Sequence, residues 1–206
     1  MPAHPGSKVR ILDAAMHVIR AKGYAAATID DICAAADLTK GSFFHHFAGK
    51  EELAIAAAGH FAEMADRVFA AASYRAAPDP LERLLGYVDF RKAILERTLP
   101  EYTCLLGTMV QETYQTHPAI RRACDRHIGA HAAMLEADID EAMRQYAVDA
   151  AWSAHSLALY TQAVIQGAFV LAKASNGASV AADCLDHLRR YIEHLFASPQ
   201  QKEKTA

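Results

Sequence analysis

The chain has 206 residues, 52% of them hydrophobic and 22% charged, which is the composition of an ordinary soluble globular protein. Its 21 Lys and Arg against 24 Asp and Glu leave a net charge of −3, which excludes a broadly basic protein that coats nucleic acid. The four cysteines are widely scattered without a C-x-x-C pair, which excludes a zinc ribbon and a dense disulfide framework.

The sequence predicts a cytoplasmic protein without a membrane partner. The N-terminal stretch MPAHPGSKVR lacks the apolar core of a signal peptide. The most apolar stretch, Leu157 to Ala172, is interrupted by Thr161, Gln162 and Gln166, so we expect it to fall short of a membrane span. The scattered cysteines fit a reducing compartment.

Helical periodicity runs through the chain, and no convincing alternation of polar and apolar residues predicts a strand. We therefore predict an all-α fold of about nine helices. Ser7 is a good N-cap for the first helix, and Gly23 ends it. Thr28 caps the second helix, with Asp31 as its partner in a capping box.

The third helix is short and is predicted mainly from its flanking residues. Asp37 tolerates the left-handed turn that ends the second helix. Thr39 can cap the third helix, and Leu38 and Phe43 have the spacing of a hydrophobic staple across that cap. Gly49 breaks the helix on its C-terminal side.

The later helices are predicted from periodicity and from their breakers. A fourth helix runs from Lys50 to about residue 73, and residues 74–80 form a linker. Further helices cover about residues 81–97, 103–115, 118–146, 149–173 and 180–197. The tail, residues 199–206, is predicted to be disordered.

The second and third helices, with the short turn between them, predict a helix-turn-helix, whose second helix enters the DNA major groove. Short and polar residues lie at its exposed front, where they can donate to phosphates or base edges. The apolar brace between the helices comprises Ile32, Ala36, Leu38, Phe43 and Phe47. The predicted DNA-binding residues are Thr28, Thr39, Lys40, Gly41, Ser42, Phe44, His45, His46 and Lys50.

Three motifs in this region resemble the DNA-binding end of the tetracycline-repressor (TetR) family. They are TIDDI (residues 28–32), AAADLTKGSFFHHF (residues 34–47) and KEEL (residues 50–53), and together they cover about the first quarter of the chain. Asp37 stands where the family usually has glycine, Phe44 where tyrosine is common, and Gly49 where serine is frequent.

The resemblance implies a homodimeric repressor that binds a palindromic operator and is released by a small molecule. It implies a DNA-binding domain at residues 1–53, whose fourth helix continues to about residue 73, and a ligand-binding and dimerisation domain at residues 54–198. The last two helices would pair with their twins, and their broad apolar faces support this expectation independently. Neither an enzymatic activity nor a cofactor is expected.

The histidines could instead bind a metal ion, but their spacing disfavours this. His45 and His46 are adjacent, so on a helix their side chains point about 100° apart. His127 and His131 share a helix face, yet no third ligand is evident in the sequence. Contact with DNA is the favoured role of the first pair, and a solvated or packed position that of the second. No metal site is predicted.

An effector cavity is expected among the middle helices, although large residues there can equally well be core residues. The candidate pocket residues are Tyr87, Phe90, Tyr102, Cys104, Met109, Tyr114, Met134, Trp152, His155 and Tyr160.

Cys104 could also serve as a sensor or a nucleophile. It lies near the predicted start of a helix, where a thiol becomes more reactive. The stretch CLLG (residues 104–107) resembles a branch of TetR-like regulators that sense electrophiles or oxidants, although a small buried residue is the simpler role.

Two further function classes stay open at the level of the sequence. The first is a hydrolase that pairs Cys104 with His117 or His127, although no Gly-rich oxyanion loop accompanies the cysteine. The second is a helical ligand-binding or protein-binding module that does not bind DNA, which Asp37 and Phe44 leave possible.

Overall fold

The computed structural model describes residues 6–197, which form ten α-helices and two 3₁₀ turns and, within that range, no strand. The predicted all-α class is confirmed. The predicted tail lies outside the described residues. The helices are α1 (Ser7–Lys22), α2 (Ile29–Ala36), α3 (Lys40–His46), α4 (Lys50–Ala70), α5 (Pro80–Ala93), α6 (Leu99–Tyr102), α7 (Leu105–Thr113), α8 (Pro118–Gln145), α9 (Ala154–Ser175) and α10 (Ser179–Phe196), and the 3₁₀ turns are Ser73–Ala76 and Ile94–Glu96.

The predicted caps around α2 and α3 are confirmed. The Thr28 hydroxyl accepts the Asp31 N–H at 3.0 Å, and the Asp31 carboxylate accepts the Thr28 N–H at 3.0 Å. Asp37 ends α2 in the left-handed region, with φ of 51°. The Thr39 side chain accepts the Ser42 N–H at 3.2 Å and caps α3. These bonds satisfy N–H groups that a helix leaves unpaired at its start.

Several boundaries differ from the prediction. Gly6, rather than Ser7, is the N-cap of α1, because the Ser7 hydroxyl bonds to the His46 ring instead. The predicted linker contains a 3₁₀ turn that buries the side chain of Tyr74. The helix predicted to begin at about residue 103 begins at Leu105 as α7, because Cys104 is its N-cap, and a separate short helix, α6, precedes it.

The chain forms two compact units, and the first contains the described residues up to Arg67 together with Pro100–Gly129. In this unit α1 packs against α2, α3 and α7. The helix-turn-helix therefore shares its hydrophobic core with α7 and the start of α8. Core residues without exposed surface are Ile11, Ile19, Ile32, Phe43, Leu53, Leu105, Met109 and Ile120.

The second unit contains Val68–Leu99 and the described residues from Ala130 onwards. In this unit α10 packs against α9 and α5. The carboxylate of Asp138 on α8 is buried, and it accepts hydrogen bonds from Arg83 Nε at 2.9 Å and from Arg75. A buried carboxylate is tolerable here because two guanidinium groups compensate its charge.

By length and composition α9 could cross a membrane, contrary to the expectation from its interrupting polar residues. In its most apolar window, 44% of the residues are buried inside the protein, and the helix packs against α10. Because the core helix of a soluble protein passes the same test, this is weak evidence for a membrane location.

Candidate nucleic-acid interface

The apolar brace holds α3 against α2. Phe43 and Ile32 have no exposed surface, and Phe47 and Ala36 are also buried. Leu38, in the turn, is half-buried against the same core. The opposite face of α3 consists of small, polar or exposed residues. Burial of the apolar face therefore fixes the orientation of α3 and leaves the opposite face outward.

The C-terminal end of α2 is held by Arg10 of α1. One guanidinium nitrogen of Arg10 donates to the carbonyl oxygens of Ala36 at 2.6 Å and Asp37 at 3.0 Å. The carbonyls at the end of a helix have no partner within it, so a cation there satisfies them and complements the helix dipole. Arg10 therefore stabilises the turn in which Asp37 replaces the glycine that is usual in the resembling family.

Two of the predicted DNA contacts on α3, Lys40 and His46, form an ion pair or a hydrogen bond within the chain. Lys40 Nζ lies 2.8 Å from Asp30 on α2, and this hydrogen bond raises the pKa of Lys40. His46 Nε2 lies 2.7 Å from the Ser7 hydroxyl oxygen. The Lys40 pair is solvent-exposed, so it is weak enough to exchange for a phosphate. The His46 contact ties α3 to the start of α1.

The groups of α3 that remain available are Ser42, Phe44 and His45. The Phe44 side chain is 55% exposed and stands edge-on against the buried Phe43 ring, with the ring centroids 5.2 Å apart. In the part of the chain that the structure describes, neither Ser42 nor His45 uses its side chain in a hydrogen bond. A Cβ added at Gly41 would touch only the Thr39 hydroxyl, at 3.6 Å, so the surface there is open to close approach.

The ammonium group of Lys50, another predicted DNA contact, is directed at backbone carbonyl groups of the chain. Its Nζ donates to the carbonyl oxygens of Tyr24 at 2.9 Å, Ala25 at 3.3 Å and Ala27 at 3.0 Å, and lies 4.5 Å from the centroid of the Tyr24 ring. An ammonium group has three donors, and all three are directed at these carbonyls. Lys50 therefore anchors the turn between α1 and α2.

Glu112 of α7 bonds the other side of the same turn. Its carboxylate accepts the N–H of Tyr24 at 3.0 Å and that of Ala25 at 2.7 Å. Gly23 makes this approach possible, because its φ of 86° disfavours other residues and a Cβ there would lie 2.4 Å from Glu112 Oε1. Glu112 is not among the predicted site residues, because no local pattern connects it to a turn 88 residues away.

Two family models match this chain. That of bacterial regulatory proteins of the tetR family matches residues 11–57, and that of the tetracyclin repressor-like C-terminal domain matches residues 80–192. The second match alone spans more than half of the chain. The chain belongs to the TetR family. It is a DNA-binding transcriptional regulator with a helix-turn-helix, as the motifs predicted.

The relatives of this TetR regulator include a named repressor. It is 30% identical over 111 residues to the HTH-type transcriptional repressor DhaR of Mycobacterium sp. (strain GP1), which is 54% of each chain. It is 29% identical over 106 residues to the transcriptional regulator AcuR of Cereibacter sphaeroides, covering 50% of this chain and 47% of AcuR. The match thus spans about half the length of both relatives.

A solved structure shows the same fold. A TetR transcriptional regulator from Chloroflexus aurantiacus matches with a TM-score of 0.79 and 26% sequence identity, covering 90% of this chain and 93% of that one. The family and these relatives are regulators rather than enzymes, so neither a hydrolase nor a module without DNA binding is favoured.

The predicted pocket residues of this TetR regulator are divided between the two units. Tyr102, Cys104, Met109 and Tyr114 belong to the first unit, where Tyr102 and Met109 are buried and Tyr114 is 55% exposed. The other six belong to the second unit: Tyr87 is buried, Phe90, Met134 and Trp152 are half-buried, and His155 and Tyr160 are exposed. A shallow surface depression of about 480 Å³ beside α5 and the start of α10 contains none of the ten.

Cys104 caps α7 through its sulfur atom. Sγ accepts the N–H of Gly107 at 3.4 Å, and the residue is half-buried. The pKa of neighbouring Cys124 is raised to about 12, first by burial and then by Cys104. Among the described residues no histidine forms a hydrogen bond with Cys104, so a cysteine–histidine pair of the kind that nucleophilic catalysis uses is not assembled there.

An aromatic cluster lies in the second unit. His131 Nε2 is 2.9 Å from the Tyr87 hydroxyl oxygen, which also accepts a hydrogen bond from Gln162 at 3.1 Å. The rings of Phe69 and His131 are 4.9 Å apart. Burial, assisted by the charge of Arg91, lowers the pKa of His131 to about 4. His131 is therefore a neutral, packed histidine near pH 7.

Replacing Lys50 by methionine should lower the free energy of unfolding by about 2 kcal/mol, because hydrogen bonds from a charged group are lost within a partly buried turn. Lys22→Met is the matched control, since Lys22 forms only a surface pair with Asp31, and should cost less than about 1 kcal/mol. Urea denaturation of both variants measures the difference. Equal losses would contradict the anchoring role of Lys50.

His131 should make the protein less stable as the pH falls. Its pKa of about 4 in the folded state lies below the ordinary 6.5, so between these values the unfolded chain binds a proton that the folded chain does not. Lowering the pH from about 7 to about 5 should therefore cost about 2 kcal/mol through this group. Urea denaturation should show that His131→Gln removes this part of the pH dependence. The control variant His17→Gln, at an exposed position, should keep the same pH dependence as the unmodified protein.

Proposed function

We propose that this TetR-family regulator is a cytoplasmic repressor, without enzymatic activity, that binds a palindromic operator as a homodimer and is released by a small molecule. Residues 1–53 would form its DNA-binding domain and residues 54–198 its ligand-binding and dimerisation domain. The observation that carries the proposal is α3, held by its buried side chains, whose outward Ser42 and His45 side chains form no hydrogen bond within the described residues.

DNA recognition would use the open face of α3 in the major groove. Ser42 and His45 can bond to phosphates or base edges, and Gly41 permits close approach. Lys40 can leave its exposed pair with Asp30 for a phosphate. The hydroxyl groups of Thr28 and Thr39 mark the N-terminal ends of α2 and α3, which suit phosphate positioning. We call the outward face of α3, with Gly41, Ser42, Phe44 and His45, the reading surface. In this proposal His46 and Lys50 chiefly hold it in place.

Dimerisation would cover apolar side chains that α9 and α10 leave exposed in the single chain. Leu159, Tyr160, Val170 and Leu171 of α9 and Tyr191 of α10 are each more than 40% exposed. The rings of Tyr160 and Tyr191 lie 5.2 Å apart, so the two helices contribute to one apolar surface. A self-complementary pairing about a twofold axis would bury this surface and present two copies of α3 to the two halves of a palindrome.

Release by a small molecule requires that the effector bind one state of the dimer more tightly than the DNA-binding state. A ligand with equal affinity for both states would leave repression unchanged. Occupied and operator-bound forms must therefore compete, and the coupling free energy is the same whichever ligand binds first.

Selection from a random duplex library followed by electrophoretic mobility shifts tests the proposal. We expect a palindromic consensus whose affinity falls steeply as salt rises, because phosphate contacts release counterions. Salt-insensitive binding, or no sequence preference, would overturn the proposed DNA recognition.

Phe44 should discriminate thymine, because an exposed ring on α3 can contact the thymine C5-methyl group in the major groove. Replacing the contacted thymine by deoxyuridine should weaken binding about tenfold, or about 1.4 kcal/mol, and Phe44→Ala should abolish that difference. Tyr114→Ala, which removes an equally exposed aromatic ring outside α3, should keep it. Equal sensitivity to deoxyuridine in all three proteins would contradict the thymine contact.

Leu171→Glu should convert the dimer to a monomer, because two carboxylates would be buried at the twofold interface. Sedimentation velocity measures the oligomeric state. The substitution should lower affinity for the full palindrome at least tenfold more than affinity for a single half-site, because a monomer cannot bind both halves at once. Val68→Glu places the same charge at a comparably exposed position on α4 and should leave the dimer intact. A dimer that persists in Leu171→Glu would rule out this surface.

A further inference from the structure

Arg91 of α5 is surrounded by aromatic rings rather than by carboxylates. Its guanidinium carbon lies 5.3 Å from the Phe69 ring centroid, 5.3 Å from that of Phe169 and 6.0 Å from that of Tyr87. Its Nε atom is buried, and within the described residues neither a hydrogen-bond acceptor nor an ion-pair partner meets it. This differs from Arg83, in the same unit, whose Nε donates to Asp138 at 2.9 Å.

Two acidic groups of α5 and α10 are paired with other cations. Asp186 lies 2.7 Å from Lys92, and Asp89 lies 2.9 Å from Arg189. Ring faces attract the charge of a guanidinium but do not replace a carboxylate oxygen as acceptor for its N–H groups. A buried donor without an acceptor is a costly and rare feature of native proteins, so this one calls for a physical explanation.

A second donor without a partner belongs to the same cluster. The Tyr74 hydroxyl is buried and, within the described residues, forms no hydrogen bond. The Tyr74 ring lies 6.2 Å from the Tyr87 ring. Burial raises the pKa of Tyr74 to about 12, so its hydroxyl stays protonated and able to donate. His131, in contrast, has a partner, because its Nε2 atom lies 2.9 Å from the Tyr87 hydroxyl oxygen.

Both available groups are hydrogen-bond donors. Arg91 is a cation with an unused N–H, Tyr74 offers a neutral O–H, and the surrounding side chains are aromatic rings. A metal ion or organic cation would be repelled by Arg91, and a neutral apolar ligand would leave both donors unsatisfied. A monoanion with an apolar body satisfies both the charge and the donors.

We propose that this cluster binds a small organic monocarboxylate, which is the effector of the regulator. One carboxylate oxygen accepts the Arg91 Nε–H, the carboxylate accepts the Tyr74 hydroxyl, and the apolar body of the ligand lies against Phe69 and Phe169. The effector role rests on the proposed function, whereas the anion site stands on the contacts of Arg91 and Tyr74 alone.

Matched carboxylates and amides test the site on the full chain. Benzoate and hexanoate, titrated by calorimetry, should bind, and benzamide and hexanamide should bind at least tenfold more weakly, because the amides lack the charge. Arg91→Gln should weaken carboxylate binding at least tenfold. Lys92→Gln, which alters the adjacent cation paired with Asp186, should leave it unchanged.

Tyr74→Phe provides a test that does not depend on the folding of the Arg91 variant. It removes only a hydroxyl that has no partner in the described residues, so thermal stability should be kept and carboxylate affinity should fall severalfold. Failure of both carboxylates to bind more tightly than their amides would overturn the site. Unchanged affinity in Arg91→Gln or Tyr74→Phe would also overturn it and leave a buried water as the partner of these donors.

Operator DNA then separates the two proposals. Carboxylate binding that weakens operator affinity supports both. Carboxylate binding without an effect on operator affinity keeps the anion site and overturns release by this ligand. Operator binding by a protein that takes no carboxylate overturns the anion site and leaves the DNA-binding function intact.

Discussion

The hydrogen bonds on the turn between α1 and α2 are the constraint on which the reading surface depends. Lys50 supplies a positive charge to the carbonyl groups of this turn, and Glu112 supplies a negative charge to its N–H groups. A turn exposes backbone donors and acceptors, and here both kinds are satisfied by ionised side chains. Because Lys50 begins α4 and Glu112 belongs to α7, the start of α2 is held from two helices.

This constraint changes the roles of the basic residues near the recognition helix. The DNA-binding domain of a regulator usually directs its Lys and Arg side chains outwards, towards the phosphates of the DNA. Here Lys50 is directed inwards at carbonyl groups, and Arg10 bonds the end of α2. The outward face of α3 is correspondingly poor in charge and displays Phe44 and His45. In the proposed complex, such a face would rely more on shape and apolar base contacts than on phosphate attraction.

The second unit shows two solutions to the burial of charge. Asp138 is compensated by Arg75 and Arg83, so its network is complete within the chain. Arg91 is surrounded by rings and lacks a carboxylate within the described residues. The cost of a buried N–H donor without an acceptor is tolerated where a bound group can supply the missing partner. The contrast between the two arginine sites therefore favours an anionic effector.

The sequence by itself determined the all-α class, the caps at Thr28 and Thr39, the left-handed Asp37 and the family, because these depend on local periodicity, on bonds within three residues and on a contiguous motif. Only the tertiary structure decided the direction of Lys50, the bond between Ser7 and His46, and the place of Glu112. It also divided the predicted pocket residues between two units and revealed Arg91, which no motif marks. The physical reason is that these partners are 23 to 88 residues apart, so their meeting depends on how the helices pack.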